Sequence, residues 1–165
     1  MNDTFDFIEN TACNLRHRIM EKYPQIKGST VELLKKTVEL FGGTILGTNN
    51  PMYYEIKGER LFVREKGCFY IKLPLYTTPL RDCFTIAHDL GHYIMHYNET
   101  KGECVFPRFG NNTDEVQANR FAAAFLMPKN EFLRARNEYK DSIPLIAAHF
   151  QVTTNDVFNR MKYLK

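Results

Sequence analysis

The stretch FTIAHDLGHYIMH (84–96) sets His88 and His92 four residues apart, and that spacing constrains the fold more than any other feature of the chain. On an α-helix four residues turn through about 400°, so the two rings stand roughly 40° apart and about 6 Å apart along the axis, on one face. Two neutral imidazoles so placed can reach a single ion, and imidazole nitrogen suits zinc. The segment therefore has to be helical, and its histidine face has to meet another element that supplies a third ligand. Asp89 lies about 60° around the helix from His92, at the edge of the same face. A carboxylate there can act as a general base toward an attacking water. His96 is about 12 Å from His88 along the axis, too far for all three to share one ion. It reads as a packing residue or a support to the ligands.

The rest of the chain divides around this helix. Residues 4–23 carry Phe5, Ile8, Ala12, Leu15 and Ile19 at helical spacing, and Arg16, His17 and Arg18 read as its solvated face. Ser29 followed by Glu32 is a capping box for a helix over about 30–40, stopped by Gly42 and Gly43. Residues 52–73 hold three β-prone runs separated by turns at Lys57-Gly58-Glu59 and Lys66-Gly67, which predicts a three-stranded antiparallel meander. Thr78 and Pro79 open the histidine helix, expected to reach about Tyr97. Residues 98–112 read as a loop, Thr113 as the cap of a helix ending at Pro128, and 130–138, 142–149 and 154–164 as short helices. Helices, a small sheet and more helices make an α+β fold. The organisation read from this is one domain over 1–165: N-terminal helices (1–50), β meander (51–75), metal-site helices (78–128) and C-terminal short helices (130–165).

A chain of 165 residues is long enough for one compact domain with a core. Its net charge of +3 falls short of a nucleic-acid footprint. Cys13, Cys68, Cys83 and Cys104 form no CxxC pair and match no zinc-finger spacing, so they read as free thiols in a reducing compartment. The N-terminus lacks a signal-type apolar run, and no stretch approaches the roughly 20 apolar residues that span a bilayer. The expectation is a cytoplasmic protein with no membrane partner.

Catalytic zinc takes three protein ligands and keeps one position open. Spacing alone leaves the third ligand undecided. Glu115 is the leading candidate, in the first turn of a helix whose other face (Ala118, Phe121, Ala122, Phe125) is apolar and whose alanines allow close packing. Asp114 and Cys104 are rivals. Tyr93 and Tyr97 lie near the metal face, where a phenol can donate to an oxyanion, although aromatic packing explains them equally.

TIAHDLGHYIMH followed by EVQANRFAAAFLMP resembles the ImmA/IrrE family of metallopeptidases. The resemblance rests on Thr85, Ala87, His88, Gly91, His92 and His96 in the first block. In the second it rests on Glu115, Ala118, Asn119, Phe121, Ala122, Ala123, Leu126, Met127 and Pro128. It implies a Zn2+ site of His88, His92 and Glu115, and a cytoplasmic bacterial or phage protein whose relatives cleave a helix-turn-helix repressor. The departure is Asp89, where the family carries Glu. The resemblance leaves two functions open: a peptidase with Asp89 as base, or a metal-containing homologue that binds the repressor without cutting it.

Two other readings compete. HD-type phosphohydrolases contain similar helices, but they need a further upstream His in an all-helical domain, and this chain has none between His17 and His88. Residues 141–165 can be read as a helix-turn-helix with Arg160, Lys162 and Lys165 as its basic residues. A helical hairpin completing the core fits better, and no direct nucleic-acid binding is expected.

Overall fold

The computed structural model describes residues 2–107 and 112–165. Helix α1 (Asn2–Lys22) and helix α2 (Thr30–Leu40) lead into strand β1 (Gly43–Leu46), the short helix α3 (Met52–Glu55), and strands β2 (Leu61–Glu65) and β3 (Cys68–Lys72). Helix α4 (Pro79–His96) carries the histidines. Strand β4 (Cys104–Phe106) separates it from α5 (Thr113–Leu126), α6 (Lys129–Glu138), α7 (Ile143–Phe150) and α8 (Thr154–Tyr163). The architecture is α+β, as expected. Among the described residues no helix is long and apolar enough to cross a membrane.

The sheet differs from the expected antiparallel meander. It has four strands in the order β1-β3-β2-β4, with β1 parallel to β3 and the other pairs antiparallel. The expected hairpin at Lys66-Gly67 is β2–β3. The first β-prone run instead turns into α3, because the Asn50 side chain accepts from Met52 N (3.0 Å) and Tyr53 buries its ring and donates to Leu73 O (2.8 Å). β1 follows the glycine pair that ends α2. Gly42 has φ +79°, and a Cβ there would stand 2.0 Å from Gly67 O, so only glycine lets the chain pass this close to the hairpin turn. Strand β4 comes from the stretch read as a loop over 98–112, of which 108–111 lie outside the described residues. Its pairing with β2 is tertiary and leaves no local periodic signal.

Local chemistry sets the helix ends. Ser29 Oγ accepts from Glu32 N (3.2 Å), but the Glu32 carboxylate pairs with Lys35 and so does not complete a capping box. Thr78 caps α4, with Pro79 at its first turn. The cap of α5 is Asn112, one residue before Thr113: its Oδ1 accepts from Glu115 N at 3.0 Å. A full capping box of Thr153 and Asp156 opens α8.

α4 and α1 both pack along α5, and the sheet joins this layer through β1 and α2. Phe69, Leu90, Phe121, Phe125 and Phe132 fill the centre. Two arginines take part in closing it. Arg16, expected on a solvated face, is buried and donates to Phe125 O (3.1 Å), whereas His17 and Arg18 are exposed. Its position on the α1 face turned to α5 lies beyond what the charge pattern reveals. Arg160 is buried too, donating to Met127 O (2.8 Å) and to both oxygens of Glu9 (2.8 and 2.5 Å). A residue read as part of a basic DNA-facing helix thus ties α8 to α1 and to the end of α5.

At Gly91 the backbone of α4 packs directly against α5. A Cβ there would stand 3.1 Å from Phe121 Cδ1 and 3.2 Å from Ala118 Cα. Gly91→Val should wedge the helices apart, lowering stability by about 1–3 kcal/mol and weakening any metal held between them. Urea unfolding with a parallel zinc titration checks both effects.

Candidate metal centre

His88 and His92 lie on the buried face of α4, and Glu115 lies in the first turn of α5. The Gly91–Ala118 contact brings these surfaces together. His92 Nε2 is 2.9 Å from Glu115 Oε1, and His88 Nε2 is 3.3 Å from Glu115 Oε2. One ligand atom from each of the three residues falls within 4.8 Å of the others. Among the described residues this is the group of His, Cys and carboxylate side chains that converges as a metal site. The rivals do not join it. Asp114 is exposed and 3.9 Å from His96, and Cys104 sits half-buried on β4.

Hydrogen bonds fix which ring nitrogens face the centre. His88 Nδ1 lies 2.8 Å from Asn119 Oδ1, an acceptor, so Nδ1 carries the proton and Nε2 presents its lone pair. The same logic runs through a relay. His96 Nε2 lies 3.0 Å from Gln117 Oε1, so His96 donates there and accepts at Nδ1. His92 Nδ1 is 3.1 Å from His96 Nδ1, donates to it, and keeps Nε2 unprotonated. His96, Asn119 and Gln117 are thus the outer supports that metal-binding imidazoles normally have. His96 was expected as such a support; Asn119 entered only through the family motif, and Gln117 was missed. Asn119 lies one turn after Glu115 on α5, a spacing that marks it as a neighbour of the ligand, whereas Gln117, two residues on, lies about 200° around the helix and carries no such signal.

The Nε2 atoms of His88 and His92 are buried and receive no hydrogen bond within the protein: with the proton on Nδ1 of each ring, their lone pairs face Glu115 oxygens, acceptor against acceptor, at 3.3 and 2.9 Å. Buried polar atoms left in this way call for an explanation, and a cation between two imidazoles and a carboxylate supplies one. The residues present fit zinc.

Asp89 is completely buried, and its Oδ1 accepts from Arg60 Nε. Arg60, one residue before β2, also brings Nη1 to 3.6 Å from Glu115 Oε2. In sequence Arg60 is one of several basic residues around an apolar strand, with Lys57, Arg64 and Lys66 nearby, and nothing local singles it out. Arg60, Lys72, Phe84, His88 and Glu115 line a cleft of about 280 Å³. Tyr93 faces away from it, stacking on Phe69 (4.0 Å between centroids) and accepting from Gly67 N (2.9 Å). Tyr97 stacks on Tyr93. Tyr93 therefore packs the sheet onto α4, and Tyr97 backs its ring.

A paired-histidine helix closed by a glutamate from the next helix defines a metallopeptidase-type domain. The model of the IrrE N-terminal-like domain, a peptidase family, matches residues 70–162. The chain belongs to this family, the ImmA/IrrE metallopeptidases. No curated protein and no solved structure gives a significant match.

Burial, with Arg60 and His96 nearby, lowers the His92 pKa from 6.5 to about 3. The ring is therefore neutral, the form that binds metal. Between those values the unfolded chain takes up a proton that the folded chain refuses, so metal-free stability rises with pH across the window and is lost as pH falls through it. The slope should approach about 1.4 kcal/mol per pH unit at most, and His92→Gln should flatten it. Urea unfolding from pH 4 to 7 in chelator tests this.

Proposed function

We propose that this protein is a zinc-dependent endopeptidase acting in the cytoplasm, and that its substrate is a helix-turn-helix repressor of a phage or mobile element. The observation that carries the reading is the pair of buried Nε2 atoms, without partners, facing the Glu115 carboxylate. Membership of a peptidase family supports it. The burial of Arg160 supports reading the C-terminal helices as core rather than as a DNA-binding unit.

His88, His92 and Glu115 would hold the zinc, while Asn119 and His96 keep the rings turned toward it. Bound zinc supplies Lewis-acid polarisation of the scissile carbonyl and a lowered pKa for the attacking water. The substrate chain lies in the cleft bounded by Phe84, Arg60 and Lys72. Asp89 receives the proton of the attacking water and returns it to the leaving amine.

A specific observation favours a second reading, a homologue that binds the repressor without cleaving it. Asp89 is one methylene shorter than glutamate, and a displacement of about 1 Å can cost on the order of 10²-fold in rate. Its carboxylate is also held by Arg60, and a neighbouring guanidinium weakens a carboxylate as a base.

The test is incubation of the zinc-loaded protein with the purified repressor. The peptidase reading expects one defined cut, abolished by chelation or by Glu115→Ala and slowed about 10²-fold or more by Asp89→Asn. Cleavage that survives Asp89→Asn would remove Asp89 from the proton transfer. Repressor that binds intact, with no cut under any metal loading, would establish the second reading.

A further inference from the structure

We propose that Arg60 is a positioning residue that holds Asp89 and opposes the metal for Glu115, so that this one arginine sets how tightly the site binds its ion. The inference rests on the reading of His88, His92 and Glu115 as metal ligands.

Arg60 reaches the centre from the sheet, opposite the helices that carry the other site residues. Its side chain is 9% exposed, so its charge acts where water screens it poorly. Nε is bonded to the Asp89 carboxylate, and Nη1 stands 3.6 Å from Oε2 of Glu115. That oxygen is the one 3.3 Å from His88 Nε2. A single planar guanidinium thus addresses both the would-be ligand and the acid between the two histidines. Arginine suits this position, because it stays charged under all working conditions and spreads donors over two acceptors.

The charges set the direction of the effect. With neutral imidazoles, Asp89, Glu115 and Arg60 sum to a net negative charge of one; Lys72, on the same cleft wall and bonded to the carbonyls of Ile56 and Gly58, adds a positive charge that none of the variants below changes. A divalent cation binds against the repulsion of Arg60 and has to draw Glu115 away from it. Without metal, Arg60 keeps the Glu115 carboxylate beside the two rings, which leaves the site formed before loading. With metal, Arg60 keeps Asp89. Replacing Arg60 by a neutral side chain therefore costs order in the metal-free protein and strengthens metal binding. Replacing it by lysine retains the opposing charge.

The experiment is a zinc competition titration against a chromophoric chelator on the full chain, paired with melting curves in chelator and in zinc. Arg60→Gln should bind zinc at least about ten-fold more tightly than wild type. It should melt lower when metal-free and gain more from zinc. Arg60→Lys should stay near wild type. If Arg60→Gln binds with unchanged or weaker affinity while folded, or if Arg60→Lys tightens as much as Arg60→Gln, the proposal is overturned. Should Arg60→Gln fail to fold, Arg60→Gln/Asp89→Asn removes both partners of the buried pair and restores the net charge. It should bind zinc at least about ten-fold more tightly than Asp89→Asn alone, and equal affinities would overturn the proposal. His92→Ala separates the two levels of inference. Wild type that binds zinc no better than His92→Ala removes the metal site itself. Zinc binding that needs His92 yet ignores Arg60 removes only this proposal.

Discussion

The metal centre depends on how near α4 can come to α5. At position 91 a methyl group would already press on Phe121 and on the Ala118 backbone, and Ala122, one turn further along α5, is fully buried. With the axes this near, a glutamate in the first turn of α5 reaches rings projecting from the middle of α4. Because α5 is also the helix against which α1 packs, the ligand set is anchored in the core. That choice of scaffold keeps the geometry of the site from depending on a mobile loop.

Holding two imidazole nitrogens in a buried site without hydrogen-bond partners costs on the order of 1–3 kcal/mol for each. Little in the fold could relieve that cost by rotating the rings. Asn119 occupies Nδ1 of His88, and the relay from Gln117 through His96 occupies Nδ1 of His92. The network therefore does two things with the same bonds. It selects the tautomer that a cation needs, and it prevents either ring from satisfying its own Nε2. A cation held at this centre would therefore be coupled to folding through the same bonds.

How much of this the sequence carried varies with the kind of interaction. The helix bearing His88 and His92 was legible because its spacing is a local property, and Thr78 with Pro79 marked where it starts. Glu115 could be read as a candidate because the apolar stripe of α5 fixed which edge it occupies. The sheet was only half legible. The β2–β3 hairpin has a turn signature, whereas β1 and β4 are defined by partners 26 and 43 residues away, as in Gly43 with Phe69 and Phe62 with Val105. Arg60 was invisible for the same reason. Nothing near residue 60 in the chain reveals that Asp89 lies across from it, since the pair joins the segment leading into β2 to helix α4.

The two carboxylate–guanidinium pairs built on buried arginines show why burial by itself does not identify a function. Arg160 donates to Glu9 and to a backbone carbonyl, and every group it touches belongs to the packing of α1, α5 and α8. Arg60 touches Asp89 but also stands beside Glu115, whose carboxylate faces two rings lacking partners at Nε2. Exchanging the first pair for apolar side chains of similar volume would be close to neutral in energy. The second pair cannot be exchanged that way, because its arginine shares an electrostatic field with the atoms that receive the ion. The shorter acid at position 89 is then best understood together with Arg60: the two form one unit, and what that unit does to charge at the centre matters as much as the missing methylene.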